Sequence, residues 1–169
     1  AQFLPGLPAK LASLLMAHKI APDRLILEIT ESVFMQTNPE LEEIFDNIRT
    51  LGCKFALDDF GTGYSSLSYL SSFPVDIVKI DREFIQALVG EGDCEATDKA
   101  RALVRGITTL ARDMNLTIVA EGIETECQHD ILKNMEIDFG QGFLFGHPQA
   151  LDTYIAKTAV ADDELGAAC

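Results

Sequence analysis

The chain has 169 residues, room for one domain of ordinary size and hardly two, and its 27 acidic against 13 basic residues give a formal charge of −14. That excess argues against a broad electrostatic footprint for a DNA or RNA polymer or an anionic lipid surface. With 47% hydrophobic and 24% charged residues a packed core is expected, while no apolar run approaches the ~20 residues of a membrane span, so direct membrane insertion by this segment is not expected.

In chain order, Pro8 to Lys19 reads as an amphipathic helix and Arg24 to Thr30 as a strand. Asn38 before Pro39, with Glu40 and Glu42 behind it, marks the start of a helix running to Leu51, which Gly52 stops. A strand from Lys54 to Asp58, a helix from Ser65 to Ser71, a strand from Asp76 to Ile80 and a helix from Arg82 to Leu88 follow. The polar segment Gly90 to Asp98 reads as a loop or a frayed helix start before a long helix, Thr97 to Met114. Thr117 to Glu121 and Ile137 to Gln141 are strands, with helices at Thr125 to Asn134 and Leu151 to Ala159. Strands alternating with helices predict a parallel sheet of β-α units. The four cysteines form no Cys-x-x-Cys pair and no zinc pattern with the three histidines, which predicts reduced thiols and a cytoplasmic setting.

Each strand carries a polar residue toward its C-terminal end. Period-two alternation puts Glu28 with Ile26 and Thr30, Asp58 with Lys54 and Ala56, Lys79 with Ile77 and Asp81, and Glu121 with Thr117 and Val119, while Gln141 closes the last strand. One acid after one strand is usually a helix cap or a solvated charge. Five such strands place polar groups where α/β sheets bind ligands and β/α barrels keep their catalytic residues. Clustered carboxylates resist common ionisation unless a cation is present. Oxygen donors with one amide and no His or Cys suit a hard divalent ion such as Mg²⁺ or Mn²⁺. Metal-assisted chemistry on an anionic substrate follows.

Two stretches sharpen this. Asp58-Asp59 runs into Phe60-Gly61-Thr62-Gly63-Tyr64, a glycine-rich turn opening a helix, where adjacent carboxylates could serve two metals and backbone N–H groups could receive phosphate oxygens; the plainer reading is a tight turn using glycine for its backbone freedom. Asp59-Phe60-Gly61 spells a kinase metal motif, but no His-Arg-Asp loop accompanies it. The second stretch, Glu121-Gly122-Ile123-Glu124-Thr125, reads equally as paired functional acids or as a capped strand-to-helix turn.

Leu27-Glu28-Ile29-Thr30-Glu31-Ser32, Asp58 to Leu67, Asp76-Ile77-Val78-Lys79-Ile80-Asp81, Ala120 to Thr125 and Gln141-Gly142-Phe143-Leu144-Phe145 resemble, in order and spacing, the motifs of the EAL domain family of bacterial cyclic di-GMP phosphodiesterases. The resemblance implies an α/β fold, a TIM-like (β/α) barrel with one antiparallel strand, and opening of cyclic di-GMP to linear pGpG with two Mg²⁺ or Mn²⁺ ions. Carried over by position, Glu28 and Asp58 resemble ligands of the first metal, with Asp58 shared and Asp59 on the second. Glu121 resembles the general base or second-metal ligand, and Lys79 the lysine that orients the attacking water. Asp81 and Gln141 resemble further members of the metal and water network, Glu31 the anchor of the glycine-rich loop, and Glu124 a supporting acid. In-line attack on phosphorus is the implied reaction. The resemblance also implies cyclic di-GMP as ligand, a homodimer, and fused sensory or GGDEF domains in a parent protein, which could be anchored to a membrane through another domain.

The family's naming Glu-Ala-Leu segment and a metal-binding Asn precede the matched region and are not in this sequence, which starts Ala-Gln-Phe rather than with Met. A complete barrel takes roughly 250 residues and eight strands, against five strands expected here. The expectation is therefore an EAL-type barrel lacking its first strands: residues 1–160 as the C-terminal two-thirds of the domain, residues 161–169 as a flexible acidic tail, and weak or no hydrolysis by this stretch alone. The alternative function is a catalytically inactive module that binds cyclic di-GMP or a protein partner.

Overall fold

A computed structural model describes residues 3–30, 33, 38–61, 73, 75–90 and 94–153, without the side chains of 94–96. Glu31, Thr62, Gly63, Tyr64, the helix expected at Ser65 to Ser71, most of the one at Leu151 to Ala159 and the tail 161–169 lie outside these residues.

Five strands form one parallel sheet in sequence order: β1 (Ile26–Thr30), β2 (Lys54–Phe60), β3 (Ile77–Ile80), β4 (Thr117–Glu121) and β5 (Phe139–Gln141). The helices are α1 (Leu7–His18), α2 (Pro39–Thr50), α3 (Arg82–Gln86), α4 (Cys94–Asp113) and α5 (Glu126–Asn134), and residues 151–153 are helical. This is the architecture of a partial TIM-like α/β barrel. Among the described residues, no helix is long and apolar enough to cross a membrane.

Several boundaries differ from the sequence expectation for local reasons. β1 starts at Ile26, two residues later than expected, because Pro22 opens a 3-10 turn that takes in Asp23 and Arg24. Asn38 does cap α2, its Oδ1 accepting from Leu41 N at 2.9 Å. α4 begins at Cys94, inside the segment read as loop, and β5 is only three residues long. Asp138 explains the late start of β5: its Oδ2 accepts from Ile118 N at 2.8 Å, turning the residue before the strand toward β4. Asp76 does the same two strands earlier, accepting from Phe55 N of β2 at 2.9 Å just before β3.

The two sheet faces differ as alternation requires. Ile29, Phe55, Leu57, Val78, Ile80, Ile118 and Ala120 lie on the helix-covered face and are all nearly inaccessible. Phe45 of α2 meets Phe55 edge-on, with ring centroids 4.9 Å apart, and α4 contributes Val104, Ile107 and Ala111 to the same core. On the other face the rows run Glu28–Ala56–Ile77–Thr117 and Lys79–Val119–Phe139. That face is closed at its centre and open at its margins, where Ile26 and Phe139 are 45% and 64% exposed. Of the cysteines, Cys53 is buried and Cys127 exposed, both as free thiols; burial pushes the Cys53 thiol pKa up.

Candidate metal and phosphate site at the strand ends

The site is built on an irregularity in β2. Leu57 pairs with Val78 and Phe60 with Ile80, so Asp58 and Asp59 together stand opposite the single residue Lys79. This is a β-bulge. Asp59 carries it with a left-handed backbone, φ +55°, a region in which Asp and Asn are tolerated better than other side chains. In a regular strand two consecutive side chains would point to opposite faces. Here the bulge absorbs the extra residue, returns Phe60 to the buried face beside Ile80, and leaves both aspartates near one point. Ligand oxygens of Asp58, Asp59 and Glu121 all lie within 4.8 Å of one another.

Lys79 sits under this group and is 6% exposed. Its Nζ is 2.8 Å from Glu28 Oε1, 2.9 Å from Asp58 Oδ1 and 2.9 Å from Glu121 Oε1, one partner for each of its three donors. Burial alone would lower the lysine pKa; the hydrogen bonds to Glu28, Glu121 and Asp58 outweigh it, and the net shift is upward. Asp59 is pushed the other way from an ordinary surface acid. Desolvation, then the charges of Asp58 and Asp81 and a hydrogen bond with Asp81, raise its pKa against a smaller lowering by Lys79.

The expected site residues thus divide. Asp58, Asp59, Glu121 and Lys79 come together. Among the described residues Glu28 meets the group through Lys79, and it lines a separate cavity of about 560 Å³ with Phe3, Thr30 and Asn38. Asp81 stands close enough to Asp59 to raise its pKa, and its Oδ1 accepts from Glu83 N at 2.7 Å as the cap of α3. Gln141 pairs in register with Glu121, and both line a cavity of about 340 Å³ with Asp59, Asp81, Arg82, Glu124 and Phe143. Glu124 lies in the capped turn, one of the two readings the sequence offered equally: Thr125 and Gln128 form a reciprocal capping box, and Gln128 Oε1 also accepts from Glu124 N at 2.8 Å. The capped turn and the two glutamates, Glu121 and Glu124, are one structure. Of the glycine-rich loop, Phe60 ends β2 and is buried, and Gly61 follows it.

Arg82 was not among the expected site residues. The available signal was its position directly after Asp81 at a strand end, masked by its assignment to the following helix. Gly142 has a different constraint: a Cβ there would lie 2.0 Å from Ile123 O. The segment after β5 is seated directly on the turn after β4.

An oxygen-only group of three carboxylates fits a hard divalent cation. The upward shift of Asp59 comes first from desolvation and then from the charges of Asp58 and Asp81, and a cation bound there would offset both.

Residues 3–148 match the family model of the EAL domain. The chain is 40% identical over 154 residues to the bifunctional diguanylate cyclase/cyclic di-GMP phosphodiesterase MucR of Pseudomonas aeruginosa, covering 91% of this chain and 22% of that protein. It is 38% identical over 144 residues to the cyclic di-GMP phosphodiesterase PdeL of Escherichia coli K12, covering 84% of this chain and 38% of PdeL. The c-di-GMP complex of the MucR phosphodiesterase superposes with a TM-score of 0.77 at 39% identity, covering 88% of this chain and 58% of that one. A manganese/c-di-GMP complex of Klebsiella pneumoniae BlrP1 gives 0.74 at 32% identity, covering 86% and 37%. The chain therefore spans less than two-thirds of the length of each of these relatives.

Proposed function

Because the chain belongs to the EAL domain family, we propose that the protein hydrolyses cyclic di-GMP to linear pGpG with the help of two divalent ions, Mg²⁺ or Mn²⁺. The observation that carries this reading is the bulge in β2, which spends backbone strain at Asp59 to put two consecutive carboxylates beside Glu121. A parallel sheet built only for packing has no use for that arrangement.

Asp58, Asp59 and Glu121 would hold the ions, with Glu28, Asp81 and Gln141 completing the surroundings. Bound there, the ions stabilise charge on the attacking and leaving oxygens of an in-line displacement at phosphorus. Glu121, at the end of β4 and open to the cavity, accepts the proton of the attacking water. Lys79 holds Asp58 and Glu121 apart from each other at 2.9 Å on either side of one ammonium, which fixes their oxygens and offsets their charge. With its three donors taken, it orients the water through the Asp58 and Glu121 oxygens that it fixes. Glu31, Thr62, Gly63 and Tyr64, outside the described residues, belong to the same reading as loop anchor and glycine-rich loop, and Glu124 as a supporting acid. The reading extends to a cytoplasmic homodimer within a parent protein that carries sensory or GGDEF domains.

The deciding experiment incubates the full-length protein with cyclic di-GMP, first stripped of metal and then with Mg²⁺ or Mn²⁺, and separates the products chromatographically. Metal-dependent appearance of pGpG is expected. Binding of the dinucleotide without any pGpG would show instead a non-catalytic binding module.

A further inference from the structure

Arg82 lines the 340 Å³ cavity together with Asp59, Asp81, Glu121 and Glu124 and is the one basic residue in that lining among the described residues. Four carboxylates surround the cavity, yet the guanidinium forms no ion pair with a described residue. Instead, with the Gln86 amide turned to face it, the amide oxygen accepts from Arg82 Nη2 at 2.8 Å and from Nε at 3.3 Å. In this orientation Gln86 gives up its 3.5 Å donation to Glu124 Oε1 and serves the arginine instead. The grip uses one edge of the guanidinium and leaves the Nη1 donors without a described protein acceptor.

The stem of the arginine is fixed as well. Gly122 follows β4 at φ +72°, and a Cβ there would lie 2.4 Å from Arg82 Cβ and 3.2 Å from its Cα. Only glycine lets this turn lie flat on the arginine. The contrast with Lys79 is electrostatic: three carboxylates saturate the Lys79 ammonium, while Arg82 keeps its charge available to whatever enters the cavity. An anionic substrate approaching four carboxylates needs such a cation. A guanidinium suits phosphate oxygens because its donors diverge in a planar fork.

We propose that Arg82 anchors the substrate by donating to a non-bridging phosphate oxygen, with Gln86 and Gly122 holding it in position. This rests on the reading of the substrate as a cyclic dinucleotide. Arg82 acts on binding and takes no part in the bond-breaking step.

The test uses the full-length protein and two variants, Arg82→Gln and Arg82→Lys, reading equilibrium binding of fluorescent cyclic di-GMP as well as kcat and KM with Mn²⁺, at low and high salt. Thermal melts verify that both variants fold, as an exposed side chain allows. R82Q is expected to raise KM and Kd about ten-fold with kcat within a few-fold, and to flatten the salt dependence of kcat/KM. R82K is expected to recover most of the loss. Unchanged binding in R82Q, or a fall in kcat alone, would overturn the proposal. So would an R82K as weak as R82Q with relaxed preference for cyclic di-GMP over cyclic di-AMP, which would assign the guanidinium to a guanine edge. A wild type that binds without cleaving removes the phosphodiesterase reading while the Kd comparison still decides the anchor; a wild type that does not bind removes both.

Discussion

Lys79 Nζ donates to Asp58 Oδ1 at 2.9 Å across the seam between β2 and β3, and this bond stands beside two equivalent ones, to Glu28 and Glu121. Replacing Lys79 by Met leaves three carboxylates facing one another around an apolar tip. Removing one partner of a fully buried pair costs ~3–5 kcal/mol; with Glu28 55% exposed in its side chain, about 2–3 kcal/mol is expected here, or a Tm lower by roughly 5–10 °C. Because the lysine pKa is raised in the folded state, its contribution is complete below the unfolded value of 10.5 and is lost only as pH rises past the folded one. Melts of K79M and wild type across about pH 6 to 9 should therefore show a constant deficit on the lysine side.

Asp59 gives the opposite sign. Its folded pKa is raised from 3.8, so the favourable contribution is present below the unfolded value and is lost as pH rises through the folded one; ionised, it costs stability. Asp59→Asn removes that charge and keeps a side chain suited to φ +55°. In EDTA at pH 7, D59N should melt higher than wild type, by up to about 1 kcal/mol given its exposure. In Mn²⁺ the order should reverse, because the wild type gains stability from the bound ion. A D59N that melts lower in EDTA would count against a cost of ionising Asp59 from desolvation and its acidic neighbours.

For Glu121, charge and proton transfer can be separated by kinetics. Glu121→Gln keeps the shape and the hydrogen bond to Lys79 through its amide oxygen but cannot accept a proton. In the full-length protein kcat should fall about 10²–10⁴-fold with KM within a few-fold. A variant that loses binding and keeps turnover would make Glu121 a substrate contact instead.

Asp76 and Asp138 offer a test of stability that leaves the chemistry alone. Each accepts from a backbone N–H of the preceding strand, Phe55 and Ile118 respectively, at the end of the sheet opposite the carboxylate group. Alanine at either position leaves a backbone donor unpaired and should cost about 1–3 kcal/mol in chemical denaturation. The denaturant slope and the Mn²⁺ affinity of the folded protein should not change.

Gly122→Ala combines strain with displacement of Arg82. The positive φ alone costs an alanine about 1–2 kcal/mol, and the contact with Arg82 Cβ forces the arginine stem to move. The variant should melt lower and show a raised KM of the same kind as R82Q.

The sequence carried most of the sheet because its physics there is local: alternation separated Ile29, Leu57, Val78 and Ile118 from Glu28, Asp58, Lys79 and Glu121, and the structure keeps those faces. It carried the cap at Asn38 for the same reason. What it could not carry was the bulge, since alternation assigns Asp58 and Asp59 to opposite faces, and only pairing with β3 reveals that both stand against Lys79. The start of β1 moved because a Pro-initiated turn competed with strand propensity at Arg24. The short β5 reflects a side-chain acceptor, Asp138, drawn to another strand. Arg82 escaped notice because its meaning depends on Gly122, forty residues away in the chain and in contact only after folding.

Each strand lies beside the one that precedes it in the chain. For a polypeptide leaving the ribosome N-terminus first, every new strand finds its neighbour already made and has only the intervening helix and loops to close. The edge of the last strand laid down is the docking site for the next. The carboxylate group does not follow that gradual course: Asp58 and Asp59 arrive with the second strand, but Glu121 arrives only with the fourth. The three carboxylates thus come together in one step, late in assembly, and on the proposed metal reading the onset of Mn²⁺ binding during refolding would time the docking of β4.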